Sequence, residues 1–286
     1  AERLAGPFLV CTAADDRITQ RKMRNVYRLN PPISLYTQGL EQLFLERVKP
    51  ASISIVYENS AFGTGGALRM MWFCREHDID LHAMIPYVRE RAGAEYFQRI
   101  LGKLKDHPPE VIYMVSYLKD GAVLVKTLRE MKLDAMLCGG AGGFTHPRLA
   151  EMAGPAAEQL LTATLWTHEL DYPETRAFYN AYVEQHGAPP DYHGAEAYSA
   201  LMVAADALGR AKSLEPGDIR EALGKTRMQT AFGPVAFSSF GKFERQNRYE
   251  TMVLQILNGQ FRCVWPETVA TQPLVLPTGG RGADDE

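Results

Sequence analysis

Three glycines within four residues, Gly63-Thr64-Gly65-Gly66, follow the β-branched run Ile53, Ile55 and Val56 and precede an amphipathic stretch that reaches Asp78. A glycine-rich turn between a strand and a helix can cradle a phosphate when its glycines fall as G-x-G-x-x-G directly after the strand. Here Leu68 holds the third position, and five residues separate Tyr57 from Gly63. Dinucleotide chemistry therefore lacks its spacing, and no Gly-Lys-Ser/Thr follows to make a P-loop. Hydrolytic chemistry has no G-x-S-x-G elbow, and Ser60 has no histidine near it in sequence. The histidines fall singly, mostly at expected helix ends and loops. Asp15-Asp16 is one acidic pair without a third ligand, so it reads as a helix-start cap rather than a metal site. Cys11, Cys74, Cys138 and Cys263 are far apart, with no CxxC spacing, and read as buried free thiols. No cofactor is expected.

The elements that must position these residues alternate regularly. A strand at Phe8–Cys11 leads to the loop Thr12–Asp16, and Asn25–Leu29 is a second strand. Ser34 is placed as the cap of a helix carrying Leu40, Leu43, Phe44 and Val48. Strands are then expected at 79–88, 111–115, 135–138 and 160–166, with helices between them. Phe97, Ile100, Leu101 and Leu104 are spaced as one helical face. Strands alternating with helices of this length make βαβ units and a mostly parallel sheet. Beyond Trp166 the pattern is helical, with Pro173 and Pro216 at helix starts. Gly233–Phe237 reads as an extended crossing segment, and Asn258-Gly259 as the turn of a hairpin. The end, 279–286, is expected to be mobile.

With 286 residues the chain is long enough for two domains, and a net charge of −3 with scattered basic residues gives no support to a nucleic-acid partner. No apolar run approaches the roughly 18 residues of a membrane span. No export signal is visible. An opening of AERLAGPFLVCTAADD, a helix end and then a buried strand, leads us to expect further residues upstream.

Thr12, Ala13, Ala14, Phe62, Tyr117 and the loop from Gly139 to Phe144 all fall at the carboxyl ends of expected strands, where doubly wound sheets bind ligands. They offer a hydroxyl, open amides and aromatic faces but no nucleophile, which suits a small, partly apolar molecule.

Five segments in order carry a family resemblance: VYRLNPP, IVYENSAFGTGGA, VSYLKDGAVLVKTLREM, AYSALMVAADAL, and TAFGPVAFSSFGKF followed by VLQILNG. Together the chain resembles the type I periplasmic substrate-binding proteins of branched-chain amino acid (and related) ABC transporters, to about Pro266. The resemblance implies an α/β fold of two doubly wound parallel-sheet lobes joined by a three-stranded hinge, with a solute trapped between them and delivered to ABC permease membrane subunits. It implies a periplasmic location and no enzymatic activity. Lobe one would be 1–31 and 167–234, lobe two 32–166 and 235–268, and 269–286 an extended tail. The hinge crossings would fall near 29–32, 166–169 and 233–237. The family's opening βα units are absent, so lobe one is expected to be incomplete and to expose apolar surface.

Site residues follow by resemblance. Phe62 and Tyr117 match positions where the family lays aromatics over the ligand. Thr12, Ala13 and Ala14 match its carboxylate-binding loop, with Ala14 where a hydroxyl is usual. Gly142, beside Phe144, stands where amino-acid binders place a carboxylate for the ligand's ammonium. Its absence favours an amide, an aromatic acid or another carboxylate over an ordinary α-amino acid. The alternative function is a cytoplasmic small-molecule sensor of the same fold regulating a partner. An enzyme would need a nucleophile and a base to converge.

Overall fold

The structure, a computed structural model, describes residues 6–20 and 23–276. The chain runs β1 (Phe8–Val10), α1 (Arg17–Gln20), β2 (Val26–Arg28), α2 (Gln38–Leu43), β3 (Ser52–Glu58), α3 (Ala61–Glu76) and β4 (Asp80–Tyr87). It continues through α4 (Ala94–Leu101), β5 (Val111–Val115), α5 (Leu118–Glu130), β6 (Met136–Gly139), α6 (Arg148–Ala153) and β7 (Leu161–Thr164). Then come α7 (Pro173–His186), α8 (Tyr192–Arg210), α9 (Pro216–Gly224), β8 (Arg227–Gln229), β9 (Pro234–Phe240), β10 (Phe243–Asn247), β11 (Met252–Leu257) and β12 (Gln260–Trp265). Among the described residues, no helix is long and apolar enough to cross a membrane.

Two compact units share this chain. One takes the described residues up to Leu35 together with Leu165–Glu250. The other takes Tyr36–Thr164 and the described residues from Thr251 onward. The chain passes from one to the other after Leu35, Thr164 and Glu250.

The second unit holds the regular alternation. Its sheet has the order β12-β11-β7-β6-β5-β3-β4. The five strands from β7 to β4 in that order run parallel, and β11 and β12 add an antiparallel edge. Alternate side chains of a strand face opposite sides of the sheet. Ile112 and Met114 of β5 accordingly join Phe97, Leu124 and Leu128 in one core layer. Val111, Tyr113 and Val115 join Leu40, Met70 and Phe73 in the other. Burial on both faces explains why these strands read as continuous apolar runs. At the hairpin, Asn258 and Gly259 both have positive φ, 52° and 73°, as the two-residue turn requires.

One expectation fails here for an identifiable reason. Ser34 does not cap a helix: it lies in a short 3-10 turn, and α2 starts at Gln38 after Thr37. The segment 269–276, expected to begin an extended tail, is tied down: the Gln255 side chain both donates to the Val275 carbonyl (2.7 Å) and accepts from its amide (2.9 Å). Leu274 and Leu276 pack against the core there. The segment 279–286, expected to be mobile, lies outside the described residues.

The first unit has a sheet of order β1-β2-β10-β9-β8. β1, β2 and β10 are parallel neighbours, and β9 and β8 follow antiparallel. Residues 235–250, expected in lobe two, therefore belong to this unit, and the third crossing moves from 233–237 to Glu250. The fixing interaction is polar. Arg28, fully buried on β2, donates from Nε to Gln246 Oε1 of β10 at 2.7 Å. It also donates to Thr19 Oγ1 at 2.8 Å and to the Asp15 carbonyl at 2.7 Å. The strand at Phe8 is not buried as expected: Phe8 is 56% exposed. On α8, Tyr198, Leu201, Met202 and Leu208 are also exposed. The Asp15 carboxylate does cap α1, accepting from the Arg17 amide at 2.9 Å. Cys74, Cys138 and Cys263 are buried in the second unit and Cys11 is half-buried in the first, none of them in a disulfide.

Glu196 of α8 is fully buried, and neither carboxyl oxygen has a hydrogen-bond partner among the described residues. Burial, then the neighbouring Cys11 and Asp191, hold its pKa well above the ordinary 4.5. A carboxyl whose pKa is higher in the folded state binds its proton more tightly there than when unfolded. Its contribution to stability is complete below pH 4.5 and is lost as pH rises through the folded value. We predict that Glu196→Gln removes this loss. Urea unfolding at several pH values will then show the variant gaining on the wild type as pH rises above 4.5.

Candidate functional site

The strongest cluster of predicted site residues lies at the carboxyl ends of β3, β5 and β6 in the second unit. Glu58, the last residue of β3, is 1% exposed and turns its carboxylate onto the start of α3. Oε2 accepts from the Ser60 amide and Oε1 from the Gly63 amide, each at 2.8 Å, and the Ser60 hydroxyl also donates to Oε1. Ser60 in turn caps the helix by accepting from the Phe62 amide at 3.2 Å. A carboxylate at a helix amino terminus meets both unpaired amides and the positive end of the dipole.

This changes the reading of the glycines. None of Gly63, Gly65 and Gly66 makes a sharp turn; all three lie within α3. Two of them are there for close approach. A Cβ on Gly63 would sit 1.9 Å from the Glu58 carbonyl oxygen, and one on Gly66 would sit 3.1 Å from Val115.

The capped turn presents Phe62, half-buried, to Tyr117, which is 36% exposed at the start of α5. Their ring centroids are 5.5 Å apart and the planes are tilted by 41°. The loop after β6 closes on the same pair. Gly142 has φ +62°, and a Cβ there would lie 2.7 Å from the Phe62 ring. Gly143 passes so close to the Tyr117–Leu118 peptide that a Cβ would lie 2.2 Å from the Tyr117 carbonyl carbon. Its amide donates to the Ser116 carbonyl at 3.1 Å. The structure thus brings Phe62, Tyr117 and Gly142 together. Phe144, expected to face a solute, is fully buried in the core against Gly121 and Gly139, and its part is to set the path of this loop.

Two neighbours went unread in the sequence. Arg89 follows β4 in a short turn, and its guanidinium carbon lies 4.2 Å from the Tyr117 ring centroid. A cation over a tyrosine face is attracted by the ring quadrupole. Its position after a strand's carboxyl end was the signal available. Asp120, in the first turn of α5, is 5% exposed and accepts from the Tyr87 hydroxyl. Burial first, then this bond, pushes the Tyr87 phenol up, so it stays a donor.

In the first unit, Thr12, Ala13 and Ala14 follow β1 as expected. Their carbonyls face the fold. Asn30 Nδ2 donates to the Thr12 oxygen at 3.2 Å, Arg28 to the Ala13 oxygen at 3.4 Å, and the Ile33 amide to the Ala14 oxygen at 2.8 Å.

The described residues hold no group of three or more His, Cys, Asp or Glu placed to bind a metal ion. A cavity of about 390 Å³ in the second unit, lined by residues such as Leu43, Val264, Trp265 and Leu274, shares no residue with the loops above.

A family profile described as periplasmic binding protein matches residues 9–258. The chain belongs to the periplasmic binding protein family. This family consists of solute-binding proteins, and the expected type I fold agrees with the solved structures it resembles. A Leu/Ile/Val-binding protein homolog of Brucella suis is 24% identical over 96% of this chain and 72% of its own length. The structure of a leucine-binding protein from Thermotoga maritima superposes with a TM-score of 0.80 at 20% identity, covering 92% of this chain and 73% of that one. A solute-binding protein of an ABC transporter from R. palustris, in complex with benzoate, superposes with a TM-score of 0.79 at 16% identity, covering 96% and 73%.

The Gly63 contact yields a stability test. Gly63→Ala should destabilise the protein by about 1–3 kcal/mol in urea unfolding, because a methyl is forced against fixed backbone. The same change at Gly102, which has nothing within 4 Å of its Cβ position, should be neutral or stabilising by up to about 1 kcal/mol.

Proposed function

We propose that this periplasmic binding protein is the substrate-binding component of an ABC transporter, working in the periplasm and handing a small solute to membrane permease subunits. The observation that carries the proposal is the aromatic pair Phe62 and Tyr117, held at strand carboxyl ends beside a glycine loop. Two tilted rings with half-exposed faces bind a flat or branched apolar body, and occupancy favours whichever conformation binds it better.

The loop Gly139–Phe144 carries no carboxylate. An α-amino ammonium left unpaired in a closed site would cost about 2–5 kcal/mol. The solute class we propose is accordingly an amino-acid-like molecule bound without that ion pair, an amide, or an aromatic or aliphatic carboxylate. The names of the relatives span this range, from Leu/Ile/Val to benzoate. Gly142 is proposed to leave room for the solute beside Phe62.

The test is a thermal-shift screen over amino acids, amides, aromatic acids and short carboxylates. A solute at a hundred times its Kd should stabilise by about 2.7 kcal/mol. Tyr117→Ala should abolish most of that shift while the unliganded melting temperature stays close to the wild type. A full shift in the variant would place the solute elsewhere, and no shift with any of these solutes would remove the reading.

A further inference from the structure

Arg89 gives the proposed site a charge that its family membership does not assign. Among the described residues, the Arg89 side chain makes no ion pair and no hydrogen bond; its one partner is the Tyr117 face, 4.2 Å away. Arg75, Arg91, Arg99 and Arg248 also lie over aromatic rings without an ion pair among the described residues, and Arg89 differs from them in that its ring is Tyr117, the partner of Phe62. A guanidinium presents its donors in a planar fork that fits a carboxylate in two parallel hydrogen bonds, and stacking on a ring leaves that edge open.

Glu58 is fully engaged by the start of α3. Asp120, the acid in the first turn of α5, accepts from the Tyr87 hydroxyl through Oδ2, and its Oδ1 is buried with no partner among the described residues. α5 begins beside Tyr117 with no side chain capping its first amides.

Building on the solute-binding reading above, we propose that Arg89 is the specificity-determining residue of this site and selects a monocarboxylate whose apolar body stacks on Phe62 and Tyr117. The guanidinium binds the carboxylate while the Tyr117 ring holds it in place.

The experiment compares acids with their amides: benzoate against benzamide, and 3-methylbutanoate against 3-methylbutanamide. Each is titrated calorimetrically into wild-type protein, Arg89→Gln and Arg89→Lys. Arg89 is exposed, so unchanged melting temperatures of the unliganded variants serve as the folding control. The wild type should bind at least one acid tenfold or more tighter than its amide. Arg89→Gln should erase that preference, and Arg89→Lys should restore part of it. The proposal is overturned if Arg89→Gln keeps the acid preference, if the wild type favours the amides, or if it binds none of the four. Binding of another solute that is unaffected by Arg89→Gln would overturn this assignment alone and leave the solute-binding reading intact.

Discussion

The Glu58 carboxylate is the constraint on which the second unit's loops depend. Buried at the end of a central strand, it would be costly without partners. The amides of Ser60 and Gly63 and the Ser60 hydroxyl supply them, and all lie in the following five residues. Satisfying that one group therefore dictates how the chain leaves β3 and enters α3. It also dictates why position 63 has no side chain and where Phe62 emerges. Tyr117 and the β6 loop are then fitted to Phe62 through Gly142 and Gly143, each admitted at a distance that a Cβ would forbid. The rigid part of the site is backbone packed on backbone, and the aromatic rings are what it holds up.

The first unit solves a comparable problem with the opposite charge. Arg28 is the largest fully buried side chain in it, and its fork is spent on Gln246, Thr19 and the Asp15 carbonyl. That arrangement joins β2, β10 and the loop leading into α1. Gln246 is shared further, donating to the Asn30 carbonyl at 2.8 Å. A sheet neighbour 218 residues away in sequence is thus selected by hydrogen bonding more than by apolar matching.

This difference explains what could be read from residue types. The parallel strands of the second unit carry their own signal, because both faces are covered and the apolar runs are unbroken. Their helices show 3.6-residue spacing, and most expected boundaries fall within two or three residues. β10, FERQN, shows no such signal: its buried members include Gln246 and Asn247, which look like surface residues until Arg28 is placed beside them. The third crossing was displaced for that reason. At the candidate site, the placement of Phe62 and Tyr117 just after strand ends was legible in the residue pattern. Arg89 was not, since its meaning depends on a ring 28 positions later, and Phe144 was misread because an aromatic in a loop gives no sign of which way it points.

The buried thiols have a chemical consequence. A thiol reacts as its thiolate, and burial pushes Cys74 up to about 11 and Cys138 higher still. At neutral pH an alkylating reagent therefore meets almost no reactive sulfur in the second unit while it is folded. Cys11, half-buried in the first unit, is the exception. The three buried cysteines thus report, by the onset of their modification during denaturation, when the second unit opens, with Cys11 as the reference that does not wait for it.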